Sequence, residues 1–156
     1  ATITAAAHTD SQSYGWNTGW NGSDNAIKII PSDFSAADNG RPVMINDSNI
    51  GSNDLFLISD GANDMYASVS IPAGYKATAV TIYGSDTGQD FYVYSALITS
   101  NTIIDIGTGA TSIESECTLA TTFVGGSTNY LMIRVTSDGS SDEIHGGSVV
   151  IAPNLA

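Results

Sequence analysis

Positive charge is the scarcest thing in this sequence. Four of its 156 residues are lysine or arginine, against sixteen acids, for a formal net charge of −12 and a pI of about 4.1. Lys28, Arg41, Lys76 and Arg134 lie scattered along the chain. Reading nucleic-acid phosphates takes clusters of such residues, and an anionic membrane surface attracts the same clusters. Neither is expected as a partner. A charge this negative favours solubility and spacing between molecules, and says nothing of fold.

Cysteine is nearly absent too. Cys117 stands alone, which excludes an internal disulfide framework. A single thiol is ordinarily a small buried apolar side chain, and its isolation fits a reducing cytosol. No apolar run approaches the roughly 20 residues of a membrane-spanning helix. Residues 1–7, ATITAAA, carry neither a basic n-region nor a hydrophobic core, so no secretory leader is expected.

Histidine occurs twice, at His8 and His145, far apart in the chain. A nucleophile–base–acid triad has little to draw on. There is no G-x-S-x-G elbow, and Cys117 has no basic neighbour in sequence to lower its pKa. Zinc is disfavoured by one cysteine and two distant histidines. Carboxylate pairs can hydrolyse glycosides, but most acids here sit in Gly/Ser/Asn loops, as solvated turn residues do. An enzyme is not expected, and no cofactor is.

Helix signals are missing as well. No window of eleven residues or more repeats its apolar positions at helical spacing, and Leu and Glu are scarce. What is abundant is Ser, Thr, Asn and Gly, 63 residues together, interrupted by short β-branched runs. That mixture suits strands with one polar face, joined by many turns.

The alternation is cleanest over Tyr130–Thr136, where Leu131, Ile133 and Val135 share a face opposite Tyr130, Met132, Arg134 and Thr136. Residues 91–99 are apolar on both faces: Phe91, Val93 and Leu97 against Tyr92, Tyr94 and Ile98. Such a strand is central, or turns one face to the core and one to an interface. Over 76–83, Thr78, Val80 and Ile82 are set against Ala77, Ala79 and Thr81. Further strands are expected at 26–30, 43–45, 55–58, 66–71, 118–124 and 148–152. Turn residues separate them, at Asn21-Gly22, Asn39-Gly40, Asp60-Gly61, Gly84-Ser85-Asp86, Gly125-Gly126 and Asp138-Gly139. Eight or nine short strands at this spacing predict an all-β fold, an antiparallel jelly-roll-like β-sandwich. Residues 1–25 are expected to form an extended arm and 26–156 the single sandwich domain.

Two loops are rich in oxygen ligands. Asp60 and Asp64, and Asp138, Asp142 and Glu143, are the best placed for structural calcium. Neither loop has the EF-hand spacing, and Asp in turns usually caps its own backbone, so no metal is expected. Tyr14, Trp16 and Trp20 would share one side of an extended arm. Such a stripe can stack on sugars, or pack on the sandwich or a neighbouring subunit; packing is preferred. Lys76 and Arg134, on outer faces or strand ends, are each expected to meet an acidic partner. Across a subunit interface such a pair sets register more than affinity. With Tyr14, Trp16, Trp20, Tyr92 and Tyr94 they form the expected contact set.

Residues 71–85, IPAGYKATAVTIYGS, followed by Phe91-Tyr92-Val93-Tyr94, resemble a stretch common in small structural proteins of tailed bacteriophages, notably marine ones. Asn129–Thr136 and Ile144–Ala152 look like the closing strands of the same group. The resemblance spans about half of the chain, residues 72–152. It implies a virion component assembled in the host cytoplasm. A head decoration protein fits best: non-enzymatic, β-rich, homo-oligomeric, trimeric by preference, and bound to the major capsid protein or other virion proteins. The alternative is a tail-fibre or receptor-binding head, or a carbohydrate-binding β-sandwich module using Trp16 and Trp20. A glycan-degrading enzyme with loop carboxylates is a third reading.

Overall fold

The computed structural model describes residues 25–37, 43–45, 55–59, 62–137 and 142–155. The expected arm, with Tyr14, Trp16 and Trp20, lies outside the described residues apart from Asn25, as do Asp60 and Asp138. The described residues form β1 (Ala26–Ile29), β2 (Phe34–Ala36), β3 (Val43–Ile45), β4 (Leu57–Ser59), β5 (Asn63–Val69), β6 (Tyr75–Gly84) and β7 (Asp90–Leu97). These are followed by β8 (Ile103–Asp105), β9 (Thr111–Ser112), β10 (Glu116–Val124), β11 (Asn129–Ser137) and β12 (Ile144–Pro153). A single 3-10 turn, Pro31–Asp33, is the one helical element among them.

Two antiparallel sheets pack face to face. The first runs β10-β6-β12-β4-β3, with β1 also paired to β12. The second runs β2-β5-β11-β7-β8, with β9 also paired to β7. The long strands change sheet at each step: β5 to β6 to β7, and β10 to β11 to β12. The two antiparallel sheets form the β-sandwich that the turn spacing predicted; their strand order is not legible from it. One flank is stitched across the gap, where the Ala120 amide of β10 donates to the Ile106 carbonyl at 2.9 Å, just past β8.

The core is what alternation would build. From β11 come Leu131, Ile133 and Val135, from β7 Phe91 and Val93, and from β5 Met65 and Ala67, all fully buried. Opposite them stand Val80, Ile82, Val149 and Ile144, equally buried. Each large apolar side chain withdrawn from water contributes about 1.5–3 kcal/mol. Cys117 is 2 % exposed and belongs to the same cluster, so the lone thiol is a packing residue.

The turn that opens β6 is Pro72-Ala73-Gly74-Tyr75, closed by the Tyr75 amide on the Pro72 carbonyl at 3.1 Å. Gly74 has φ 89°, the positive value that the third position of a type II turn requires. Within β6, strict alternation fails. Val150 and Ile151 are consecutive on β12 but pair with Ala79 and Ala77, so Thr78 is an extra residue. The bulge re-aims the strand. Ala77, not Thr78, joins Val80 and Ile82 in the core, and the expected faces of residues 76–83 are corrected accordingly.

Candidate functional site

Register on the second sheet places a row of large side chains on its outer face. Ser35 of β2 pairs with Tyr66 of β5, Tyr66 with Arg134 of β11, and Arg134 with Tyr92 of β7. One pleat along, Ser68 pairs with Met132, Met132 with Tyr94, and Tyr94 with Asp105 of β8. A third row runs Tyr130, Ala96, Ile103. Directly opposed side chains on one face of a sheet lie close enough to touch. Four of the seven tyrosines of the chain, Tyr66, Tyr92, Tyr94 and Tyr130, therefore share one face.

Arg134 organises it. Its guanidinium carbon lies 4.3 Å from the centre of the Tyr92 ring and 5.8 Å from that of Tyr94. The two rings are 6.4 Å apart and within 17° of parallel. A cation over an aromatic face at a partly exposed site contributes about 0.5–1 kcal/mol. Asp64 approaches Nη1 of Arg134 at 3.9 Å, both side chains about a third exposed. At that separation the pair is a weak surface contact. Nε of Arg134 is buried without a hydrogen-bond partner among the described residues. Tyr94 holds its proton more tightly than an ordinary phenol, because burial disfavours the phenolate; Arg134 pulls the other way and Asp105 adds to the rise.

Beside the guanidinium is a shallow depression of about 230 Å³, lined by Tyr66, Tyr94, Ile103, Met132 and Arg134. A second depression, of about 340 Å³, lies on the outer face of the first sheet and is lined by Lys28, Tyr83, His145 and the backbone of residues 146–147. There His145 Nε2 stands 3.2 Å from Glu143 Oε2, both exposed.

Of the expected contact residues, the structure brings Tyr92, Tyr94 and Arg134 together and adds Tyr66 and Met132. It does not bring Lys76 to them. Lys76 lies on β6 of the other sheet, between Val124 and Ala152 in the ladder, and no ion pair engages it among the described residues. The acidic partner expected for Arg134 is Asp64. Asp64 is thus drawn to the tyrosine face, while Asp142 and Glu143 both lie just before β12. Among the described residues no three His, Cys, Asp or Glu side chains gather as metal ligands.

At the top edge of the same sheet lies a group of exposed apolar residues. Ile98 is 71 % exposed and Ile104 60 %, with Ile103 and Leu97 nearby at 49 % and 38 %. β8 is the outer strand on that side among the described residues, and all three of its residues are exposed.

No known protein-family model matches the sequence, and no curated protein matches it. Solved structures do share the fold. Clostridium thermocellum endo-1,4-beta-D-xylanase 10B, as CBM22-1 and GH10 modules complexed with xylohexaose, superposes with a TM-score of 0.50 at 13 % identity. The match covers 83 % of this chain and 28 % of that one. A Podospora anserina GH26-CBM35 β-(1,4)-mannanase gives 0.44 at 11 % identity, over 86 % of this chain and 29 % of its own. The TmCBM61 structure in complex with β-1,4-galactotriose gives 0.36 at 9 %, over 78 % and 87 %. At these identities the likeness is one of fold, and only the first match is close enough to carry even that.

Proposed function

We propose that this chain is a non-enzymatic structural protein of a tailed-phage virion, a head decoration protein that docks by its apolar β8 edge and self-associates on the particle. The observation that carries the reading is that edge. Leu97, Ile98, Ile103 and Ile104 are exposed together at the margin of a sheet whose next strand position is open among the described residues. Exposed edges with apolar side chains pair with other chains unless blunted. In a protein of net charge −12, such an edge marks a place where apolar contact outweighs general repulsion. The resemblance of residues 71–85, 91–94, 129–136 and 144–152 to phage structural proteins supplies the kind of assembly.

Burial of Cys117 and exposure of the His145–Glu143 pair support a role in contact rather than in catalysis. Docking of many copies onto a shell adds to shell stability by mass action. The acidic remainder of the surface keeps neighbouring particles apart. The test is quantitative mass spectrometry of purified particles of the phage that encodes the chain. The expected result is a copy number comparable with that of the major capsid protein. A chain missing from the particles, or present in a few copies only, would overturn the decoration reading; the few-copy outcome would point to a tail position.

A further inference from the structure

The outer face of the second sheet meets that docking edge only at Ile103, and its chemistry is specific. We infer that it is a recognition platform for a neutral glycan, with the depression between Tyr66, Tyr94, Met132 and Arg134 seating one sugar ring of the chain. The inference rests on the proposed function only in that the face is turned to solvent when the β8 edge is docked.

Three observations carry it. First, the depression combines apolar walls with fixed donors. Tyr66, Tyr94, Ile103 and Met132 offer ring and methyl surface to the C–H face of a sugar, and the Arg134 guanidinium offers N–H groups to its hydroxyls. Second, Arg134 is held in place without spending those donors. Its guanidinium is placed over the Tyr92 ring at 4.3 Å and near the Tyr94 ring at 5.8 Å, and Asp64, at 3.9 Å, is the one acid paired with it among the described residues. A rigid, pre-placed donor loses little freedom on binding, which is where a weak polar ligand gains most. Third, size and charge select the ligand class. At about 230 Å³ the depression is below the roughly 300–1,000 Å³ of ordinary small-molecule sites. It takes one ring of a chain that continues over the open face, not a whole cofactor.

Charge also disfavours the competing ligands. Asp64 and Asp105 flank the site on either side of the tyrosines. Two carboxylates outnumber the one guanidinium between them, and with a chain charge of −12 they disfavour uronates, sulfated sugars and phosphates. A second copy docked face to face would bring Asp64 and Asp105 up to an equally acidic surface. A neutral sugar meets none of these penalties.

The experiment is a titration of the purified whole chain, followed by amide NMR and calorimetry. The probes are neutral gluco-, manno-, xylo- and galacto-oligosaccharides, with oligogalacturonate as the anionic arm. The expected result is saturable binding of at least one neutral series, with shifts centred on Tyr66, Tyr94, Met132 and Arg134, and weaker or no binding of the uronate. Tyr94→Ala and Arg134→Ala should each weaken binding by about tenfold or more, the loss typical of a buried anchor. Tyr83→Ala, in the other depression, should leave it unchanged. If a variant fails to fold, Tyr94→Phe and Arg134→Lys, which keep bulk or charge, supply the comparison. Binding of no neutral series, preference for the uronate, or loss of binding in Tyr83→Ala alone would overturn the inference. So would a change of solution mass, rather than of sugar affinity, in Tyr94→Ala, which would make the face a protein contact. None of these outcomes alters whether the chain is found on the particle, so the two proposals fail separately.

Discussion

Arg134 lies over the ring of Tyr92, 4.3 Å from guanidinium carbon to ring centre, directly across the β11–β7 ladder. The guanidinium is a planar, weakly hydrated cation, which the compact ammonium of lysine does not reproduce over a ring. Arg134→Lys is expected to lower unfolding stability by about 0.5–1 kcal/mol, and Arg134→Lys combined with Tyr92→Leu to cost less than the sum of the two. Denaturant melts of the four proteins of that cycle measure the coupling. A coupling of zero would mean that the stack is incidental.

Gly146 is expected to be irreplaceable. Its φ is 142°, and a Cβ there would lie 2.5 Å from the Ile29 carbonyl oxygen, a backbone atom of the paired strand β1. It follows His145, the extra residue of the bulge that shifts β12 against β6 after Ile144. Gly146→Ala should destabilise by at least about 1–3 kcal/mol from backbone strain alone, read as a fall in melting temperature. The backbone of residue 146 also lines the second depression, so the variant should disturb the first sheet while leaving shifts at Tyr94 in place.

The β8 edge predicts a change of assembly. Ile98→Asp and Ile104→Asp remove exposed apolar surface and add charge where a neighbour would sit. Light scattering at neutral pH should show a self-associated wild type and a lighter double variant with unchanged circular dichroism. A chelator should make no difference to either. A wild-type monomer would remove the edge as a self-association site.

Tyr94 sets an alkaline limit. Burial raises its pKa in the folded chain above that of the unfolded one. The folded state therefore keeps a proton that the unfolded state gives up. Its contribution to stability is complete below the ordinary tyrosine pKa of about 10 and is lost as pH rises through the folded value. Ultraviolet titration should show one late phenolate that Tyr94→Phe deletes, and the stability of the wild type should fall more steeply above that pH than that of Tyr94→Phe.

Much of this architecture is legible in the sequence, because strand alternation and turn residues are local properties. Leu131, Ile133 and Val135 announce β11, and Phe91 and Val93 announce the inner face of β7. Of the short strands, Val43–Ile45 and Leu57–Ser59 are announced by their apolar residues, but three others are not legible. Phe34–Ala36 and Thr111–Ser112 are too brief to show a period, and Ile103–Asp105 is exposed on every residue, so no face stands out. The Thr78 bulge is equally silent, since an extra residue leaves no mark on composition. The site was half visible. Tyr92, Tyr94 and Arg134 stand out as large side chains on outward positions, yet their meeting with Tyr66 and Met132 depends on which strands pair, a long-range fact that periodicity does not hold. Lys76 shares their outward orientation but lies on the other sheet.

A cryo-electron microscopy map of the proposed virion tests the central claim most directly. The account predicts sandwich-sized density in many copies on the outside of the head, with the strand Ile103–Asp105 against a neighbouring chain and Tyr66, Tyr94 and Arg134 turned to solvent. Density confined to the tail, or a head position in which the tyrosine face is buried against the shell and the β8 edge is free, would contradict it.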